Sequence, residues 1–247
     1  MRFSLLVFLA ISFNCGILLA AEPNWDDYSL LLKRHVSSGI IEGIQLHVVD
    51  YEAIKDDPHW PKIVRLLEEF PPEQLENRNE KIAFYINAYN ILAIKMVIDH
   101  WPLKSIRDVG SLFIPVWKRP AGKIGGMVVS LDDIEHKILR PMHDPRVHMA
   151  IVCASISCPD LRREAYRAVH INEQLNDQSR AFLANPGKGV RVEDERIFVS
   201  KIFDWFEEDF DNTGGVSAFM AHHYPDLPLK LPTRATLPYN WNLNTKL

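Results

Sequence analysis

No long run of one charge occurs in this sequence, and its formal charge is only −4, from 28 Lys plus Arg against 32 Asp plus Glu. Without a basic stripe there is no electrostatic footprint for nucleic acid or for an anionic membrane surface. A Gly/Ser linker, a low-complexity tract and a repeat of solenoid or propeller period are also missing, so nothing marks a place to divide the chain. Nor is there a Gly-rich phosphate loop, a G-x-S-x-G elbow or an H-E-x-x-H pair, and so no motif asks for a cofactor or a metal. Cysteine is scarce, at positions 15, 153 and 158 of 247.

What is present begins with a leader. Arg2 is the only charge in residues 1–21, an apolar run follows, and Ala20-Ala21 leads directly into the polar Glu22-Pro23-Asn24. That is the order of a cleaved secretory signal, against which stand a retained membrane anchor and lipid attachment at Cys15. The expectation is export to the periplasm or outside, with residues 22–247 as one globular domain and no stable membrane span after cleavage. Cleavage removes Arg2 alone among the charges, leaving 27 basic against 32 acidic residues, and it leaves two cysteines. With 47% hydrophobic residues the chain can fill a sizeable core.

Local patterns then suggest elements. Asn24 is placed to cap a helix carrying Trp25, Tyr28, Leu31 and Leu32, ended by Ser37-Ser38-Gly39. Positions 44–51 read as a strand. A long helix from about Asn77 is apolar nearly all round between 82 and 98, the mark of a central buried helix. Asn87 and Asn90 interrupt it on one face, and a buried carboxamide left without partners costs about 1–3 kcal/mol, so both need bonds. Segments 113–117 and 127–129 read as a hairpin around Gly122, Gly125 and Gly126, and Ser130 starts a helix ending near Pro141. Positions 146–152 read as a strand, Pro159 as the opening of a helix through Tyr166, and 172–183 as a further helix. A hairpin at 190–199, a helix capped by Ser200, a helix at 216–222 and an extended, proline-spaced tail lying over the surface complete the chain. Phe203, Trp205, Phe206 and Phe210 form an aromatic stripe read as core. With no βαβ alternation the pattern is α+β: helix-rich, with short mostly antiparallel strands around a central buried helix.

Five motifs occur in one order: Phe84-Tyr85-Ile86-Asn87-Ala88-Tyr89-Asn90, Asp144-Pro145-Arg146-Val147-His148-Met149-Ala150, Cys153-Ala154-Ser155-Ile156-Ser157-Cys158-Pro159, Ser200-Lys201-Ile202-Phe203-Asp204-Trp205-Phe206, and Tyr239-Asn240-Trp241-Asn242-Leu243-Asn244. Together they resemble the domain of unknown function 547 family, over nearly all of residues 25–244. The resemblance implies a shared fold and brings no mechanism with it. One departure is Asn240, where an aspartate is expected.

The chemistry must come from the residues. Placed just before Pro159, Cys158 is expected at a helix N-cap, where unpaired N–H groups and the helix dipole would favour a thiolate; Asp160 in the same turn would oppose it. His148 is the candidate base for Cys153 or Cys158, although five residues of extended strand would hold His148 and Cys153 about 16 Å apart on opposite faces. His100, His136, His143, His170, His222 and His223 are alternative bases. Against a free nucleophile stands a Cys153–Cys158 disulfide, structural or redox-active, which an oxidising compartment favours. Inert buried cysteines and a zinc site are further readings, the spacing of five between His143, His148, Cys153 and Cys158 matching no usual ligand pattern. Asn87, Asn90 and Arg146 are candidate substrate-binding residues; the two amides could instead bond loop backbone, and Arg146 could pair with Asp144. Two functions follow. One is a cysteine-dependent hydrolase or transferase acting on a peptide-like or thiol-containing small molecule; the other is a non-catalytic exported binding or structural domain held by the disulfide.

Overall fold

Asn77 launches the central element. Its side chain accepts from the Glu80 N–H at 3.0 Å while the Glu80 carboxylate accepts from the Asn77 N–H at 3.3 Å, a closed capping box. The helix that follows, Arg78–Asp99, is buried along nearly all of Ile82 to Ile98. The computed structural model describes residues 22–111, 113–228, 230 and 233–246, so the expected leader lies outside it. By length and composition the Arg78–Asp99 helix is long and apolar enough to cross a membrane. Its most apolar window is 83% buried by the protein's own core, which gives that composition a sufficient cause.

In chain order the helices are α1 (Asp26–His35), α2 (Tyr51–Asp56), α3 (Trp60–Glu69), α4 (Arg78–Asp99), α5 (Ile171–Leu183), α6 (Ile202–Trp205) and α7 (Gly215–His223). The strands form three small sheets: β1 (Val36–Ile41) with β2 (Ile44–Val49), β3 (Pro120–Ile124) with β4 (Met127–Ser130), and β5 (Val190–Glu193), β6 (Arg196–Val199) and β7 (Thr233–Thr236). All pairs are antiparallel except β6 with β7. The helix-rich α+β expectation holds. Each hairpin closes through two residues of positive φ, Glu42-Gly43, Gly125-Gly126 and Asp194-Glu195, the turn whose twist matches paired strands. At Gly125 a Cβ would also lie 2.7 Å from Pro72 Cδ, and at Gly122 one would lie 2.5 Å from Leu92 Cδ2, so β3 packs closely on α4.

Five local expectations fail, each for a visible reason. Ser37-Ser38-Gly39 does not end α1 in a loop but continues into β1, because Val36 to Ile41 pair residue by residue with β2. Positions 113–117 are not a strand: Phe113 is 91% exposed, Pro115 leads a 3-10 turn at Val116–Lys118, and β4 pairs with β3 instead. Positions 146–152 are not a strand either. Asp144 accepts from the Arg146 N–H, Pro145 pre-sets the backbone, and the result is a 3-10 turn at Pro145–Met149.

The fourth is the helix expected after Pro159. Its backbone is taken by distant side chains: Gln178 donates to the Asp160 carbonyl, Ser29 accepts from the Ala165 N–H, and Gln174 bonds both the Ala165 carbonyl and the Arg167 N–H. Asn87 spans Tyr166, donating to its carbonyl at 2.8 Å and accepting from its N–H at 2.9 Å. These bonds satisfy the buried backbone without a helix. Nor does the tail merely cross the surface, since Leu237, Leu243, Asn244 and Thr245 are buried. Leu237 donates its N–H to Val199, and Asn244 joins Val49 and Ala154 through backbone bonds.

The apolar interior falls into two main clusters. One surrounds α4; the other gathers Met149, Phe182, Phe203, Phe210 and Phe219. Tyr239 packs on both, at the seam where the candidate site lies.

Candidate functional site

A cavity of about 300 Å³ opens along that seam. Tyr89, Ile151, Cys153 and Cys158 reach it from the α4 side, Ile202 and Phe206 from the second cluster with the exposed Trp205 of α6 beside them, and Tyr239 and Trp241 from the tail. Trp117, Glu135, His136, His148 and Pro159 complete the wall. Of the aromatic stripe read as core, Phe203 and Phe210 are buried, while Trp205 and Phe206 face the cavity. Trp205 and Trp241 stack at 5.7 Å, and Trp241 lies 4.5 Å from Tyr239 and 6.0 Å from Trp117.

Cys153 and Cys158 are joined in a disulfide, with Cα atoms 6.2 Å apart. Both line the cavity, Cys158 buried and Cys153 half-buried, so Cys153 is the more exposed of the two. The Cys153 N–H donates to Cys158 Sγ at 3.1 Å, and the Tyr239 hydroxyl lies 3.2 Å from the same sulfur. Ser155 donates to the Tyr239 oxygen at 3.3 Å, completing a short chain of hydroxyls aimed at Cys158. Burial raises the Tyr239 hydroxyl above its ordinary value, Ser155 opposing, so it keeps its proton and remains a donor. The helix-dipole stabilisation expected for Cys158 is absent, because no helix follows; backbone and tyrosine donors occupy that role. Asp160 has turned away, accepting from the His47 N–H at 2.7 Å and pairing with the buried Lys188 at 2.6 Å.

Because Pro145–Met149 is a turn and not a strand, His148 reaches the same cavity as both cysteines. Its ring stacks on Phe206 at 4.1 Å, and its Nε2 lies 2.7 Å from Asp209 Oδ2. Burial pushes the imidazole below its ordinary value, against the pull of Asp209, and keeps it neutral. A neutral imidazole that donates Nε2–H to Asp209 carries its lone pair on Nδ1. Arg140 grips the same carboxylate through Nε at 2.6 Å and Nη2 at 3.0 Å. Although partial burial works the other way, the bonds from His148 and Arg140 hold Asp209 well below the usual carboxylate range.

Glu135 faces the cavity with one hydrogen bond, accepted from the Tyr89 hydroxyl at 3.4 Å. It keeps some contact with the cavity space, yet the surrounding rings desolvate it, and burial pushes its carboxyl up to about 7 against the lowering effects of Tyr89 and Arg140. Neither Asp209 nor Glu135 stood out in the sequence. The only signal was the neighbourhood of each: Asp209 beside the aromatic stripe, Glu135 inside the segment that Ser130 starts.

The three candidate binding residues lie elsewhere. Asn90 donates to the Ala150 carbonyl at 3.0 Å and accepts from the Val152 N–H at 2.8 Å, and with Asn87 on Tyr166 it braces the two loops that carry the disulfide. Arg146 is paired with both oxygens of Asp144, at 2.8 and 2.7 Å, and bonds Asn172 and Asn176. None of the three lines the cavity. Asn240 donates to Glu42 at 2.8 Å and Asn242 to the other oxygen of that carboxylate at 2.9 Å, so an aspartate at 240 would confront Glu42 with like charge. Among the described residues no group of three or more His, Cys, Asp and Glu side chains is arranged to hold a metal ion.

A family model described as "Protein of unknown function, DUF547" matches residues 72–183. That stretch holds the first three motifs, from Asn87 through Cys158, and stops short of the two that supply Trp205, Phe206, Tyr239 and Trp241. No curated protein and no solved structure matches the chain.

Proposed function

We propose that this chain, which matches the DUF547 family model over residues 72–183, is an exported cysteine-dependent enzyme that exchanges its Cys153–Cys158 disulfide with thiol-containing small molecules. One observation carries the proposal: the disulfide forms part of a cavity wall, with Cys153 the more exposed of its two residues and with a backbone N–H and the Tyr239 hydroxyl drawn up to Cys158. A bridge that only staples the fold needs neither. Export through residues 1–21 would deliver the protein to a compartment where the pair stays oxidised.

The substrate thiol gives its proton to neutral His148, whose imidazolium Asp209 stabilises. The thiolate attacks Cys153 Sγ. A bond forms between the substrate sulfur and Cys153 as the Cys153–Cys158 bond breaks, and Cys158 leaves as a thiolate held by the Cys153 N–H and the Tyr239 hydroxyl. A second thiol then attacks the substrate sulfur of the mixed disulfide, releasing a disulfide product and Cys153. Two thiols are oxidised to one disulfide while the protein pair takes up two electrons, and an external disulfide returns it to the oxidised state. The aromatic walls favour a substrate with an apolar or ring-bearing body.

Incubation with an arylalkyl thiol tests this. Offered the symmetric disulfide of that thiol instead, the Cys158→Ser variant should accumulate a mixed disulfide at Cys153 with release of one free thiol, seen by mass spectrometry, whereas Cys153→Ser should form little adduct at the buried Cys158. If the native bridge resists excess thiol until the protein is unfolded, the exchange reading is overturned. The non-catalytic domain with a structural disulfide then stands, a reading that the backbone bonds of residues 240–244 to the Cys loop already favour.

A further inference from the structure

A second cavity, of about 610 Å³, lies away from the disulfide between the start of α4, the Pro145–Met149 turn, α5 and α7. Its wall carries Arg78, Arg146, His143, His222 and His223, with Asp144 the one carboxylate. Asp144 is already neutralised, because Arg146 holds both its oxygens and Arg78 approaches it at 3.5 Å. The cavity therefore has a surplus of positive charge.

His223 points to a ligand. It is 6% exposed, packs against Phe219 at 4.5 Å, and finds no hydrogen-bond partner for its ring nitrogens among the described residues. Burial pushes it down to about 4, and the charges of His222, Arg146 and Arg180 push the same way, with Asp144 opposing. The field that repels a proton there is the field that attracts an anion. Other donors converge from different elements. Arg78 spends one nitrogen on the Met142 carbonyl at 2.9 Å and is otherwise half-exposed, and Asn176, whose oxygen accepts from Arg146, has its NH₂ left to donate.

We propose that this cavity binds a phosphate monoester, its phosphoryl group held between Arg78, Asn176 and the His222-His223 pair. Donors on α4, α5 and α7 surround the space from three sides, which suits a tetrahedral oxyanion better than a flat carboxylate. The volume exceeds what inorganic phosphate alone requires and leaves room for the esterified body.

The test uses the oxidised protein and two probes, inorganic phosphate and phenyl phosphate, with the histidine ring protons followed by NMR at neutral pH. Saturable shifts are expected at His222 and His223 and not at the outlying His59 and His170. Because His223 is buried, the variant of choice is the half-exposed Arg78→Gln, which should weaken binding about tenfold or more, while His170→Gln leaves it unchanged. Tighter binding of phenyl phosphate identifies the monoester; equal binding identifies free phosphate as the ligand. Absence of saturable shifts with both probes, or shifts that Arg78→Gln does not alter, would overturn the proposal.

Discussion

His148 Nε2 lies 2.7 Å from Asp209 Oδ2, across 61 positions of sequence, and Arg140 binds the same carboxylate. One carboxylate thus ties together three segments that border the cavity. Asp209→Asn should cost about 1–3 kcal/mol in urea unfolding, since it weakens bonds to a buried imidazole and to a guanidinium. Thiol exchange at neutral pH should slow about tenfold or more as His148 loses its orienting partner.

The pH dependence of stability has a definite sign. Asp209 is depressed in the folded state, so its contribution is present above the ordinary carboxylate value and is lost as pH falls toward the folded one. His148 and His223 are also depressed. Folding resists their protonation, and stability begins to fall once pH drops below about 6.5, the ordinary histidine value. Glu135 works in the opposite direction: raised to about 7, its burial costs stability progressively as pH climbs from about 4.5 through 7. Glu135→Gln keeps an acceptor for Tyr89 and should therefore stabilise the protein at pH 8, by about 2 kcal/mol, and change little at pH 4. Unfolding curves at the two pH values check the difference.

Tyr239→Phe removes one of the donors aimed at Cys158. In the reduced protein the Cys158 thiol should titrate about one unit higher than in the parent, the usual worth of a hydrogen bond to a charged group. Thiolate absorbance against pH reads this directly. An unchanged titration would show that the tyrosine serves packing alone.

Asn90→Ala strips partners from the Ala150 carbonyl and the Val152 N–H at once. A loss of about 2–5 kcal/mol is expected in urea unfolding, the cost of two unsatisfied buried groups. Near-ultraviolet dichroism should also change, because Asn90 braces the backbone between His148 and Cys153.

Several of these relationships were legible beforehand. The central helix announced itself through unbroken apolarity from Ile82 to Ile98 and through the Asn77 cap, and the buried amides within it declared that they needed partners. The cysteine pair and His148 were also visible as chemistry. Their meeting place was not, because it depends on Pro145–Met149 forming a turn where β-branched residues suggested a strand. The irregular segment after Pro159 was equally hidden, since its backbone bonds come from Ser29, Asn87, Gln174 and Gln178, whose approach is decided by tertiary packing. Asp209 and Glu135 have no spacing relation to the cysteines, so only the fold could reveal them.

Residues 237–245 return through the middle of the protein, bonding Lys104, Val49 and the Cys153–Cys158 loop and placing Tyr239 and Trp241 in the cavity wall. During synthesis every other wall leaves the ribosome first, so the cavity cannot close before this segment has emerged. Until that segment arrives, the two cysteines lack Tyr239 beside them and the Trp241 side of the aromatic wall, and any bridge they form then is made on a more open face. The tail therefore sets the moment at which an exposed pair of thiols becomes an enclosed site.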